Sequence, residues 1–213
     1  MYAFVVFAIF VVTAHGQITV PGVCDLTSSG INAIRIVNEE LLSGAWYQLS
    51  RINNTLDTGD CVTTTNTIII TNNVFARGAA DTRQVFNKTA IWKNATFTAL
   101  PNGVYSYQYP EIALNTVYVA TDYSGYALLY SCIQANMTHK NVYAWQLARS
   151  TQLTETQSRL LNAAISSVPD LNGVAWRTVG HQKENCQTGG ASTLLVSPVL
   201  LAALLWNMFI NIA

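Results

Sequence analysis

The chain has 213 residues, 50 % of them hydrophobic and 10 % charged, and Lys plus Arg equals Asp plus Glu. That composition can bury the core of one ordinary domain, and its balanced charge leaves no basic footprint for nucleic acid, which is not expected as a partner. All charged residues fall between Asp25 and Glu184, so both ends of the chain are uncharged and have to be explained before the fold.

At the front, residues 3–12 form an apolar run, and small residues follow at Ala14 and Gly16. This is the pattern of a secretory signal peptide over residues 1–16. An N-terminal membrane helix is the alternative, but the run is half the about 20 residues that cross a hydrocarbon core.

From there the chain reads mostly as strand, rich in Thr, Val, Ile and Tyr, whose branched or aromatic side chains suit a pleated, half-buried surface. Eight strands are predicted, at 45–53, 61–71, 74–77, 83–92, 103–109, 116–122, 126–132 and 141–150. Asn72-Asn73 and Ser124-Gly125 supply turn chemistry between neighbours. The strand at 74–77 is the weakest, because Gly78 and two alanines dilute its pattern. One helix follows, with Thr154 and Gln157 placed as a capping box, a stripe of Leu160, Leu161, Ala164, Ile165 and Val168, and Pro169 as its stop. Eight antiparallel strands with one exterior helix predict an all-β, up-and-down barrel, whose closure removes exposed edges and leaves room for side chains or one small ligand.

At the back, residues 194–213 carry no charge and follow the small residues Gly189, Gly190, Ala191 and Ser192. Small residues, a short spacer and an apolar end form the pattern of a GPI-attachment signal, with attachment at Gly189 and with Gly190, Ser192 and Asn185 as alternatives. A plain membrane anchor is the competing reading. The expected organisation is a signal peptide at 1–16, one domain at 17–189 and a removed propeptide at 190–213.

The four cysteines, Cys24, Cys61, Cys132 and Cys186, include no C-x-x-C pair and no histidine at ligand spacing, which argues against zinc. In an oxidising compartment they read as two disulfides with three possible connectivities. Sequons at Asn53, Asn87, Asn94 and Asn136 place those residues on an accessible surface if they are glycosylated.

Three stretches carry a family resemblance over nearly the whole of the domain. They are Gly44, Trp46, Tyr47 and Arg51 in GAWYQLSR; Thr121, Asp122 and Tyr123 in YVATDYSGYALLYSC; and Arg149 in VYAWQLARS. In order and at this spacing, the chain resembles the lipocalins, and within them the subgroup of apolipoprotein D, the insect bilin-binding proteins and Lazarillo. The resemblance implies that Trp46 plugs the closed end of the barrel and that Arg149 lies across its indole, a contact worth about 0.5–2 kcal/mol. Gly44 lets the chain turn tightly into the first strand. Asp122 and Tyr123 sit by the same end, so all these residues are structural. It also implies the pairing Cys24–Cys132 and Cys61–Cys186.

Strand alternation then gives a pocket. With Arg149 inward, Leu147, Trp145 and Tyr143 are inward; with Ser131 inward, so are Leu129 and Ala127; Thr116, Tyr118 and Ala120 follow on the preceding strand. Tyr105, Tyr107 and Tyr109 share one face, which alternation alone does not orient; the resemblance implies inward for at least part of the set. A glycan on Asn87 would leave Phe86 and Trp92 inward. Such a lining suits a flat, mostly apolar ligand of the bilin, retinoid, sterol or fatty acid type; the alternative is that the aromatics fill a dry core. No cofactor, metal site or catalytic constellation is expected. Glu39 and Glu40 read as a solvated turn face, His139 as a surface loop residue and His181 as part of the tail, away from the cup. A lipocalin-type isomerase would need a free inward cysteine. The expected function is an extracellular, membrane-tethered carrier. The alternative is a GPI-anchored recognition or guidance protein with a cell-surface protein partner, in which the pocket is secondary.

Overall fold

The computed structural model describes residues 17–72 and 74–189. The leader at 1–16 and the tail at 190–213 lie outside the described residues. An arm strand, β1 (Ile18–Pro21), comes first. Eight further strands make a closed barrel: β2 (Gly44–Ile52), β3 (Asp60–Thr71), β4 (Val74–Phe86), β5 (Thr89–Leu100), β6 (Val104–Gln108), β7 (Ala113–Thr121), β8 (Tyr126–Gln134) and β9 (His139–Ala148). Each pairs antiparallel with the next, and β9 returns to β2 to close the sheet. β3 pairs with only the first part of β2, Gly44 to Tyr47; the last part, Ser50 to Ile52, takes β10 (Trp176–Thr178) instead. β1 lies along the opening stretch of β9. The two remaining sheet edges are therefore short, which discourages edge-to-edge association.

Two apolar clusters flank the barrel wall. The outer one packs α1 (Glu155–Ser166) against β7 and β8 through Leu161, Ala164 and Ile165, over Val117, Leu128 and Val142. Thr154 and Gln157 form a reciprocal capping box at the helix start. The predicted stripe is one residue too wide, because Leu160 faces solvent at 46 % exposure. Under the turn after the helix, Asp170 accepts from the Tyr130 hydroxyl and pairs with Lys140 at 2.7 Å, joining this layer to the wall. The inner cluster, described below, fills the cup.

The middle of the sheet departs from the sequence reading. The strands drawn at 74–77 and 83–92 are replaced by β4 and β5, joined by a two-residue turn in which Asn87 (φ 49°) and Lys88 (φ 60°) are both left-handed. Asn-Lys lacks the glycine that usually announces such a turn. The small residues that diluted the pattern have a packing reason: a Cβ on Gly78 would lie 2.1 Å from the ring of Phe97 on the neighbouring strand. Phe97 fills the space that the missing side chain leaves, so β4 runs through it unbroken.

The termini are tied down by Cys24–Cys132, which fastens the arm to β8, and Cys61–Cys186, which fastens α2 (Lys183–Cys186) to β3. Their sequence separations are 108 and 125 residues, and loops of that size restrict the unfolded chain by up to about 4–5 kcal/mol each. Replacing Cys61 and Cys186 together by alanine is expected to lower stability by about 2–5 kcal/mol in a urea titration followed by Trp fluorescence, with the native circular dichroism of the barrel retained in water.

Candidate ligand-binding site

Antiparallel order puts the turns after β3, β5 and β7 at one end of the barrel and the turns after β2, β4, β6 and β8 at the other. The first end is sealed. A 3-10 turn at Glu39–Leu42 leads into β2 through Gly44 (φ +90°), a conformation side chains resist. Trp46 is 1 % exposed and donates its indole N–H to the Leu42 carbonyl at 3.0 Å. The Arg149 guanidinium lies 3.8 Å from the centre of the Trp46 ring. Its nitrogens also donate to the carbonyls of Tyr123 at 3.0 Å, Ala45 at 2.9 Å and Leu41 at 2.8 Å. Tyr123 sits in the left-handed region (φ 64°), in a turn shaped by Asp122, whose carboxylate accepts from the Gly125 and Tyr126 amides, and by Thr121, whose hydroxyl bonds both ways across it. Of the pair read as a solvated turn face, Glu40 is exposed, while Glu39 is half-buried and its carboxylate accepts from the Tyr105 hydroxyl at 2.9 Å, closing the floor from below.

Above this floor the interior is aromatic. Phe75, Phe97, Tyr107 and Tyr109 form a continuous stack, with Tyr105 and Tyr118 edge-on beside it. Trp145 and Tyr143 stack on the opposite wall. Burial holds the hydroxyls of these tyrosines neutral, Tyr118 being pushed up to about 12 and Tyr107 well above the ordinary range, so they remain hydrogen-bond donors. A cavity runs between the walls, lined by Trp46, Gln48, Asp57, Thr64, Asn66, Ala80, Thr82, Tyr107, Tyr109, Leu114, Thr116, Tyr118, Leu129, Trp145 and Leu147. The centre of a water-sized sphere can explore about 50 Å³ of it.

The mouth is polar and partly covered. Loop 53–59, between β2 and β3, folds inward, burying Leu56 in the inner cluster. Asn54 bonds the amides of Leu56 and Asp57, and the fully buried Gln84 of β4 accepts from the amides of Thr58 and Gly59. Asp57 Oδ2 accepts from the Trp145 indole N–H at 2.7 Å and from the Gln48 amide at 3.1 Å. Gln48 in turn accepts from Arg51 at 2.6 Å. Arg51 is 1 % exposed, and burial, then the neighbouring charge of Arg177, bring its guanidinium down to about 10 against the opposing pull of Asp57 and Asp60. It therefore stays charged at neutral pH.

Of the residues expected to line the pocket, Trp145, Leu147, Tyr118, Thr116, Leu129 and Tyr107 face the cavity. Tyr143 is buried inside the barrel behind Trp145. Phe86 and Trp92 are corrected: they are 44 % and 62 % exposed, because Phe86 lies at the rim beside the Asn87-Lys88 turn and Trp92 points out across from Arg83. Ala120 is also outside, against the helix layer, since a register shift after Tyr118 reverses its face. His139 begins β9 beside the rim, and His181 packs on the outer wall against Tyr47 and the Gln48 carbonyl. The sequon residues Asn87, Asn94 and Asn136 are exposed and Asn53 is half-buried. The Gly189 amide donates to the Lys88 carbonyl at 2.7 Å.

Several lining residues escaped the sequence reading. Alternation from Trp46 could have found Gln48, and alternation along β3 could have found Thr64 and Asn66. Ala80 and Thr82 were lost with the misdrawn strands. Arg51 comes inward only because the register of β2 shifts between Gln48 and Ser50. Asp57 sits in an irregular loop with no period to read.

A closed antiparallel barrel, plugged at one end and hollow at the other, is a calyx for a small molecule. A model described as the lipocalin / cytosolic fatty-acid binding protein family matches residues 43–168, and the chain belongs to that family. Among solved structures, insecticyanin from the tobacco hornworm Manduca sexta is similar at 17 % identity and TM-score 0.68, covering 82 % of this chain and 94 % of that one. H1 crustacyanin from the lobster Homarus americanus is similar at 23 % identity and TM-score 0.65, covering 78 % and 92 %, and lobster apocrustacyanin A1 at 22 % and 0.61, covering 82 % and 92 %. These likenesses show the fold. No curated protein sequence matches the chain.

The Arg149 contacts set the cost of opening the floor. Arg149→Lys keeps the charge but cannot serve three carbonyls and an indole face together. It is expected to lower the unfolding free energy by about 2 kcal/mol, measured by chemical denaturation.

Proposed function

We propose that the protein is an extracellular, membrane-tethered carrier of a small hydrophobic ligand of the bilin, retinoid, sterol or fatty acid type. The observation that carries this reading is the aromatic cavity above a sealed floor, with its few polar groups gathered at the mouth. Export is supported by the leader pattern at 1–16 and by the commitment of all four cysteines to disulfides, which leaves no thiolate for isomerase chemistry. No helix among the described residues is long and apolar enough to cross a membrane. In this reading the tether is the tail, exchanged for a glycolipid at Gly189, and glycans are carried at Asn53, Asn87, Asn94 and Asn136. Protein isolated from its native source is expected to yield a bound lipophilic molecule by mass spectrometry. Trp145→Ala should weaken that ligand by about tenfold or more, while Phe86→Ala at the rim leaves it unchanged. A preparation that is empty, and whose Trp fluorescence no retinoid, bilin or fatty acid quenches, defeats the reading. Phosphatidylinositol-specific phospholipase should release the protein from cells.

A second reading, a surface recognition protein, draws on the exposed Ile69, Ile70 and Val74 at the sealed end and Trp92 on the outer wall. Cell binding that survives Trp145→Ala but is lost on Val74→Asp would favour it.

A further inference from the structure

The mouth of the cup already contains a bound carboxylate, supplied by the chain itself. Asp57 Oδ2 receives two converging donors, the Trp145 indole N–H and the Gln48 side-chain amide, and Gln48 is held by the buried Arg51 behind it. Arg51 Nη2 is spent on the Gly59 carbonyl, and its Nε is buried without a partner. Beside the carboxylate, Leu56 presses into the apolar interior at 5 % exposure. An acid group and an aliphatic group, adjacent in sequence, thus occupy the neck. The space left below them is about 50 Å³, well short of the roughly 300–1,000 Å³ of pockets that enclose drug-sized ligands. A ligand of carrier size has to move this loop, and moving it uncovers two N–H donors and leaves Arg51 only Asp60, which is already paired with Arg177, as a nearby carboxylate. Exposing such a site to an uncharged ligand is costly, since a buried charge that loses its partner is strongly penalised. A ligand that brings its own carboxylate replaces Asp57 like for like.

We propose that loop 53–59 is a displaceable plug, and that the molecule which displaces it is an amphipathic monocarboxylate whose acid group takes the place of Asp57 on Trp145 and Gln48, with Arg51 behind Gln48. This rests on the carrier reading and narrows its ligand class to lipids with a free acid.

The test compares cis-parinaric acid with its methyl ester on the purified protein, read by probe fluorescence. The acid should bind about tenfold tighter than the ester, the discrimination expected of a charge-assisted hydrogen-bonded pair. Asp57→Asn removes the competing carboxylate and one of the two that act on Arg51, so it should tighten the acid by a further factor of about ten; a gain of this kind cannot come from misfolding. Trp145→Phe, which keeps the ring and loses the N–H, should reduce the preference of acid over ester. Equal binding of acid and ester, or an Asp57→Asn variant that binds the acid no better, overturns the proposal and leaves the carrier reading standing. Binding of neither probe overturns the proposal as well; the carrier reading falls with it only if the native preparation is also empty and no retinoid or bilin quenches the Trp fluorescence.

Discussion

The structure depends on one contact above all, the guanidinium of Arg149 lying on the indole of Trp46. A barrel of eight strands is open at both ends unless something fills one of them, and here the filling is an aromatic ring held from above by a cation and from the side by the Leu42 carbonyl. The cation spends its remaining donors on three carbonyls from the approach to β2, from its first residues and from the turn after β7. Segments far apart in sequence are thereby brought to one point. The approach to β2 needs a glycine because residue 44 sits at φ +90°, which side chains resist, and there the Arg149 side chain packs 3.4 Å from where a Cβ would stand.

That floor decides the character of everything above it. With one end shut, the inner face of the sheet is exposed only through the mouth, and aromatic side chains can line it without meeting solvent. Phe97 shows how tightly the wall is used, its ring lying where Gly78 has no side chain. At the other end the chain spends polar groups instead. Asp57, Gln48, Arg51 and Gln84 satisfy the inward-folded loop, so the partial cover over the mouth is held by hydrogen bonds, while the floor adds to its hydrogen bonds a buried, packed indole.

The floor was legible in the sequence because its parts are short local patterns, GAWYQLSR and TDY, joined by one distant arginine. The helix was legible from its caps, and the alternating strands β8 and β9 gave Leu129, Trp145 and Leu147 directly. What failed were places where the backbone breaks period two. The turn at Asn87-Lys88 has no glycine to mark it, and reading across it put Phe86, which lies out at the rim, inside the cup and sent Trp92 to the wrong face. The register shifts after Tyr118 and after Gln48 each reversed a neighbour, Ala120 outward and Arg51 inward. Irregular backbone carries no period, and so the acidic residue at the mouth could be found only in three dimensions.

The path of the chain after the barrel adds a last consequence. The Cys61–Cys186 bond and the Gly189–Lys88 hydrogen bond bring the end of the domain to the turn after β4, on the same rim as loop 53–59. If the protein is held by its tail as proposed, the point of attachment would lie beside the opening, and a short leash there would act as a throttle on traffic through the neck.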